Sequence, residues 1–292
     1  MINSTTTYQV GDATIVRVTE TVLTTLTPAF VFPDWDASVL AEPVVDPHAG
    51  TMDESREHLL LSVHTWIVRL NGRTILIDTG IGNAKDRPFS AVFHQLNNPF
   101  LERLEAVGVR PEDVDDVLIT HLHVDHVGWN TRWVGGRWLP TFPKATYVYP
   151  KAEEDFYSTP QAESRRMIFE DSVVPIIESG QAKAIPGHGG TYLDNFTFHP
   201  TPGHSVGHMS ISLESRGECA LFTGDIAHHP VQVYRPEWSS VFCADASGAR
   251  RSRRWAFEFG IDRNATLFTA HFPQSSAGRI TRVGSGFQWA FV

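Results

Sequence analysis

The chain has 292 residues, 41% hydrophobic and 20% charged, which is enough for one sizeable core. Its formal net charge of −9 repels phosphate backbones and excludes nucleic acid as an expected partner. Two cysteines, Cys219 and Cys243, form no CxxC pair, so a reducing compartment is expected rather than a disulfide framework.

The opening MINSTTTYQVGD is polar and lacks a basic segment followed by an apolar one. No signal peptide and no membrane span is expected, and the cytoplasm is the default location. ATIVRVTE (13–20) alternates as a strand does. Residues 28–64, interrupted by Pro28, Pro33, Pro43 and Pro47, read as irregular. Phe30, Phe32 and Trp35 in that stretch read as surface packing, with an apolar lid as the alternative. WIVRLNGRTILIDTG (66–80) reads as two strands turning at Asn71-Gly72.

PFLERLEAVGV (99–109) sets Phe100, Leu101, Leu104 and Val107 at helical spacing and stops at Gly108. VDDVLIT (114–120) and ATYVYP (145–150) are short strands, and a helix-like stretch follows over about 151–171. FTFHPTPGH (196–204), HMSISLES (208–215), CALFTGD (219–225) and TLFTAHF (266–272) are strands ending in loops that carry His or Asp. A helix fits 246–260, and its basic run RRSRR (250–254) reads as a solvated face. GRITRV and GFQWAFV close the chain as a hairpin. Strands with helices at intervals predict an α/β fold: an αββα sandwich of two sheets packed face to face, helices outside, in a single domain over 1–292.

Every strongly polar cluster sits where a strand stops. HLHVDH supplies His121, His123, Asp125 and His126; His204, Asp225 and His271 follow at later strand ends. Neutral imidazole and carboxylate are good ligands for divalent metals. Seven such groups exceed one tetrahedral zinc and suit two metals sharing a bridging carboxylate. Each distant residue is a weak signal by itself and gains weight only from the set.

HLHVDH, followed by a distant His, a GD aspartate and a late His, resembles the metallo-β-lactamase-fold hydrolases. The resemblance runs from ILIDTG near 75 to TAHFP near 272 and implies that family's two mixed β-sheets. It also implies that His121, His123 and His204 hold one metal, that Asp125, His126 and His271 hold the other, and that Asp225 bridges them. Asp78 in LIDTG matches a family aspartate that braces the ligands. The cofactor implied is two divalent ions, Zn2+ by default, with manganese, iron or cobalt as alternatives.

Antibiotic hydrolysis is not favoured, because cysteine does not replace Asp225 and the first histidine cluster is whole. No flavin domain is evident, and the 21 residues after His271 are too few for a glutathione-binding region. What is left resembles the lactonase, esterase and methyl parathion hydrolase group. Its acyl-homoserine lactonases carry tyrosine three positions after the bridging aspartate; this chain carries His228 there, as the methyl parathion hydrolase type does.

The expected reaction is hydrolysis of a lactone or carboxylic ester of a small apolar molecule by a hydroxide bridging the metals. Phosphotriester cleavage is the expected side activity. Asp125 is expected to bind metal and to accept a proton, and His228 either to hydrogen-bond the substrate or to act structurally. The alternatives are phosphodiester or nucleotide hydrolysis, and a non-catalytic metal-containing regulator that binds a small ligand. Relatives of this group often form homodimers.

His208 reads as a structural hydrogen-bonding residue and His229 as an exposed loop residue. His48, His58, His64, His94, His188 and His199 read as structural. Trp129, Trp133 and Trp138 read as core packing or pocket lining, and Cys219 as a small buried side chain.

Overall fold

The computed structural model describes residues 6–41 and 50–292, so Pro43, Pro47 and His48 lie outside the described residues. The chain divides into two compact units, Met1–Thr21 with Val63–Gly189, and Val22–Ser62 with Gly190–Val292.

The first sheet takes β1 (Thr7–Val10), β2 (Ala13–Leu26), β3 (Leu59–Leu70), β4 (Arg73–Ile77), β5 (Asp116–Leu118), β8 (Thr146–Pro150) and β9 (Ala182–Ile185), in that order. Its β1/β2 and β3/β4 pairs are antiparallel, while β4/β5, β5/β8 and β8/β9 are parallel. The β3/β4 turn places Asn71 and Gly72 at φ 51° and 74°, the left-handed pair that a tight hairpin demands. β6 (Thr131–Val134) and β7 (Arg137–Pro140) form a separate two-stranded ribbon. Parallel strands are buried on both faces and therefore read as unbroken apolar runs. Val117, Ile119 and Tyr147 from such runs join Phe100 and Leu104 of helix α2 (Phe100–Ala106) in the core of this unit.

The second sheet runs through β10 (Gly190–Tyr192), β11 (Phe196–Pro200), β12 (Met209–Ser215), β13 (Glu218–Phe222), β14 (Thr266–Phe268), β15 (Ala277–Val283) and β16 (Gly286–Phe291) in chain order. Only β13/β14 is parallel, so this sheet too is mixed. The crossover between them carries helix α7 (Ala246–Asp262), whose Ala256 and Phe257 pack on Leu221 and Leu267.

Four sequence expectations are corrected. Residues 28–64 are not wholly irregular. Thr27 caps a short helix, α1 (Pro28–Val31), and β3 starts at Leu59 because LLLSV extends the apolar run of the strand. The helical stretch after β8 is broken into α3 (Lys151–Tyr157), a 3-10 turn and α4 (Arg166–Ser172), with α5 (Val174–Glu178) after it; Pro160, without an amide hydrogen, cannot continue α3. RRSRR is not uniformly solvated, since Arg253 is buried on the inward face of α7. Phe32 is core rather than surface, packed with Val31, Leu59 and Trp238.

Candidate metal centre

In the first unit, β4 and β5 end side by side and deliver Asp78 and Thr120 to one point. Asp78 sits at φ 56°, a left-handed conformation uncommon for a residue with a side chain, and such strain is tolerated where the surroundings over-determine it. Its Oδ1 accepts from the Thr120 amide at 2.8 Å and its Oδ2 from the Thr120 hydroxyl at 2.9 Å. His126 Nδ1 lies 2.9 Å from the same Oδ2. The Thr120 hydroxyl, having given its proton to Asp78, accepts from His121 Nδ1 at 3.0 Å. One carboxylate thus sets the tautomer of two histidines, directly for His126 and through Thr120 for His121. In both, Nδ1 keeps the proton and Nε2 keeps the lone pair that a metal needs.

His123 and Asp125 are half-buried beside them. The His121 ring centroid is 4.5 Å from that of His123 and 4.1 Å from that of His126, and Asp125 Oδ1 is 3.8 Å from His126 Nε2. The four residues of HLHVDH therefore gather as the sequence indicates.

In the second unit, His204, Asp225 and His271 come together at the ends of β11, β13 and β14. His204 Nε2 is 3.3 Å from Asp225 Oδ2, and His271 Nε2 is 3.1 Å from the same carboxylate. His271 Nδ1 lies 2.9 Å from the Ser62 carbonyl, which can only accept, so Nε2 again keeps its lone pair. Two atoms bound at about 2.0–2.1 Å to one tetrahedral cation stand about 3.3–3.4 Å apart. The spacing around Asp225 and the tautomers of the histidines therefore fit a divalent cation.

His228 stands within this group, buried, with Nε2 3.5 Å from Asp225 Oδ2. Its ring lies parallel to His271 at 5.6 Å, and burial pushes its pKa below the usual imidazole range. His228, Asp225 and His204 offer ligand atoms all within 4.8 Å of one another.

His208 has the same tautomer, but its Nε2 lone pair is already taken by the protein. Its Nε2 accepts from the Asp225 amide at 2.9 Å and its Nδ1 pairs with the Thr201 hydroxyl at 2.8 Å. Both nitrogens are used, which makes it a positioning residue for Asp225, in line with its sequence reading. His229 departs from expectation. It is buried, bound to the Thr51 carbonyl at 2.9 Å, and burial lowers its pKa to about 4. Of the three tryptophans, Trp129 stacks on Phe100 in the core, and Trp133 is 54% exposed. Cys219 is buried, as expected, and burial raises its thiol to about 11.

Several supports were invisible to motif reading. Glu20 is buried and accepts from the Ile81 and Gly82 amides and from the Trp129 indole, at 2.6, 3.2 and 2.9 Å. Burial raises its pKa, against those hydrogen bonds. Arg253 donates from Nε to the Ile226 carbonyl and from Nη1 to the Pro236 carbonyl, both at 2.7 Å, and so holds the segment just after Asp225. Burial lowers its pKa to about 10.

Two mixed sheets with His and Asp clustered on the loops after their strands define a metal-binding α/β protein of the metallo-β-lactamase type. The chain belongs to the metallo-β-lactamase superfamily, whose model matches residues 59–271. It is similar to the N-acyl homoserine lactonase AttM of Rhizobium radiobacter, 25% identical over 61% of this chain and 65% of that one. It is also similar to an N-acyl homoserine lactonase of Bacillus cereus, 26% identical over 58% and 66%. The matched stretches thus span just under two thirds of these relatives' own lengths. Among solved structures, the hydrolase AbOPH of the β-lactamase superfamily superposes with a TM-score of 0.83 at 25% identity, covering 100% of this chain and 98% of that one. AidC, a dizinc quorum-quenching lactonase, shares the fold with a TM-score of 0.76 at 19% identity, over 99% and 97% of the two chains.

Proposed function

We propose that this protein is a metal-dependent hydrolase that cleaves a lactone or other carboxylic ester of a small apolar molecule, with phosphotriester cleavage as a side activity. We take the two units as parts of one functional domain, a reading supported by a single family model that runs through both. In this reading His121, His123 and His204 hold one divalent ion, Asp125, His126 and His271 a second, and Asp225 bridges them, with zinc the expected metal in both places. Such a pair, when bound, supplies Lewis-acid polarisation of the carbonyl and activation of water near neutral pH.

The chain's own groups do the rest. Asp78, Thr120 and the Ser62 carbonyl keep the histidine Nε2 lone pairs available. Asp125 accepts a proton as the tetrahedral species collapses. His228 offers a ring N–H to the carbonyl or leaving oxygen. The observation that carries the proposal is the Asp225 carboxylate, held 3.1 and 3.3 Å from two imidazole nitrogens at ligand spacing. The names of the lactonase relatives support the carbonyl substrate. The reading also takes the protein to work in the cytoplasm and to pair as a homodimer. No helix among the described residues is long and apolar enough to cross a membrane.

The test is a hydrolysis panel of lactones, aryl esters, phosphotriesters and phosphodiesters on metal-loaded protein, with metal content measured in parallel. Lactones or esters should be cleaved, and Asp225→Ala should lose metal and activity together. Preferential phosphodiester cleavage, or bound metal without turnover of any substrate, would overturn the proposal.

A further inference from the structure

The loop at 239–245, between α6 (Val231–Tyr234) and α7, is fastened to segments that carry the candidate ligands. The Ala244 amide donates to the His204 carbonyl at 3.0 Å and the Asp245 amide to the Gly203 carbonyl at 2.8 Å. On its other side the Val241 amide donates to the Val31 carbonyl at 2.9 Å, which ties the loop to α1. Within the loop, the Cys243 amide donates to the Ser240 carbonyl at 3.1 Å. The backbone is therefore held at both ends and in the middle.

This anchoring fixes two side chains against the donor set. Cys243 Sγ lies 4.0 Å from His204 Nδ1. The Phe242 ring lies 5.5 Å from the His228 ring, and Phe30 packs edge-on against Phe242 at 6.3 Å. Other aromatics of the neighbouring segments go into the core: Phe32 and Trp238 are buried, with Trp35 packed against them. Phe242, Phe30 and Val241 instead stay 38%, 55% and 47% exposed. Scattered exposed apolar side chains are ordinary. Here Phe242 packs on Phe30, follows Val241 in a backbone-anchored loop and lies against the buried His228 ring beside the candidate metal ligands, so the three form an apolar wall whose inner edge is polar.

We propose that Phe242, backed by Phe30 and flanked by Val241, is the specificity surface of this chain and receives the unbranched apolar acyl chain of the substrate, with the scissile carbonyl at the His228 end. The inference rests on the hydrolase reading and names its substrate class. Two aromatic rings at a T and a β-branched side chain make an open wall, which a flexible chain can follow along its length. Each methylene laid on it leaves water and strengthens binding, by about two- to fourfold.

The test uses metal-loaded full-length protein and a series of p-nitrophenyl esters from acetate to octanoate. In the wild type kcat/KM should climb by about two- to fourfold per methylene. The climb should flatten in Phe242→Ala, flatten further in Phe30→Ala/Phe242→Ala, and survive in Phe242→Leu. Trp133→Ala, which removes an exposed aromatic from β6, is the control and should leave the slope intact. A slope in Phe242→Ala equal to that of the wild type overturns the proposal, as does equal flattening in Trp133→Ala. If no ester is cleaved, the hydrolase reading fails separately. Calorimetric binding of butanoate, hexanoate and octanoate then decides the surface by itself. Affinity that rises with chain length in the wild type but not in Phe242→Ala supports it, and any other pattern overturns it.

Discussion

Nδ1 of His126 lies 2.9 Å from the carboxylate of Asp78, and that carboxylate also takes both donors of Thr120. The ring of His126 is therefore oriented before any ligand arrives. Outer partners of this kind typically contribute about 10–100-fold in metal affinity. Asp78→Asn should lose affinity on that scale, measured by chelator competition, and asparagine is the informative choice because it tolerates the φ of 56°. Affinity within twofold of the wild type would show that the brace is dispensable.

Gly128 follows the histidine cluster and has no room for a side chain. A Cβ there would stand 1.8 Å from the backbone carbon and oxygen of Ile81. Gly128→Ala must push apart the 79–82 and 126–130 segments, where the amides of Thr79, Gly128 and Trp129 donate to the carbonyls of His126, Gly80 and Thr79. Denaturant unfolding should show a loss of about 3 kcal/mol or more, at the upper end for overpacking, together with weakened metal binding.

Arg253 is buried with two carbonyls depending on its fork. Arg253→Leu leaves the Ile226 and Pro236 carbonyls without these donors and should cost about 2–5 kcal/mol in chemical denaturation. Arg253→Lys should recover little, because a point-like ammonium cannot reach both acceptors in a fixed geometry.

Lys85 and Arg87 are both buried against one anion, Asp171, with Lys85 Nζ 3.3 Å away and the Arg87 fork at 2.7 and 2.8 Å. Asp171→Asn leaves the buried Arg87 guanidinium without its counter-charge and the Lys85 amine without its acceptor, and should destabilise by about 3–5 kcal/mol. Burial lowers the Lys85 pKa to about 7, from an ordinary lysine value of 10.5. Between those two values the unfolded chain binds the proton that the folded chain has released, so stability rises with pH across that window. Wild-type stability should therefore climb relative to Lys85→Met from pH 7 to pH 9, by up to about 1 kcal/mol per pH unit. Parallel pH profiles would remove Lys85 from the account.

Much of the candidate site was legible in the sequence, for a chemical reason. Imidazole and carboxylate are uncommon at the ends of apolar strands, so HLHVDH, His204, Asp225 and His271 stand out by residue type and position. The hairpin at Asn71-Gly72 was equally plain, because its backbone demands a left-handed pair. Glu20 left a weaker trace. The alternation of β2 puts it on the same inward face as Val16 and Val18, where a carboxylate needs partners. Those partners, at 81, 82 and 129, lie too far along the chain for periodicity to reveal.

The sequence by itself determined which side chains can bind metal and which runs form strands, because donor chemistry and side-chain alternation are local properties. It also placed the chain within its superfamily. Only the tertiary structure decided which nitrogen of each histidine keeps its lone pair, that Arg253 and Lys85 lie inside, and that His229 is buried. Those outcomes depend on groups tens to hundreds of residues apart, such as His271 and the carbonyl of Ser62. Burial and hydrogen-bond partnership belong to the packed arrangement, and no local pattern encodes them.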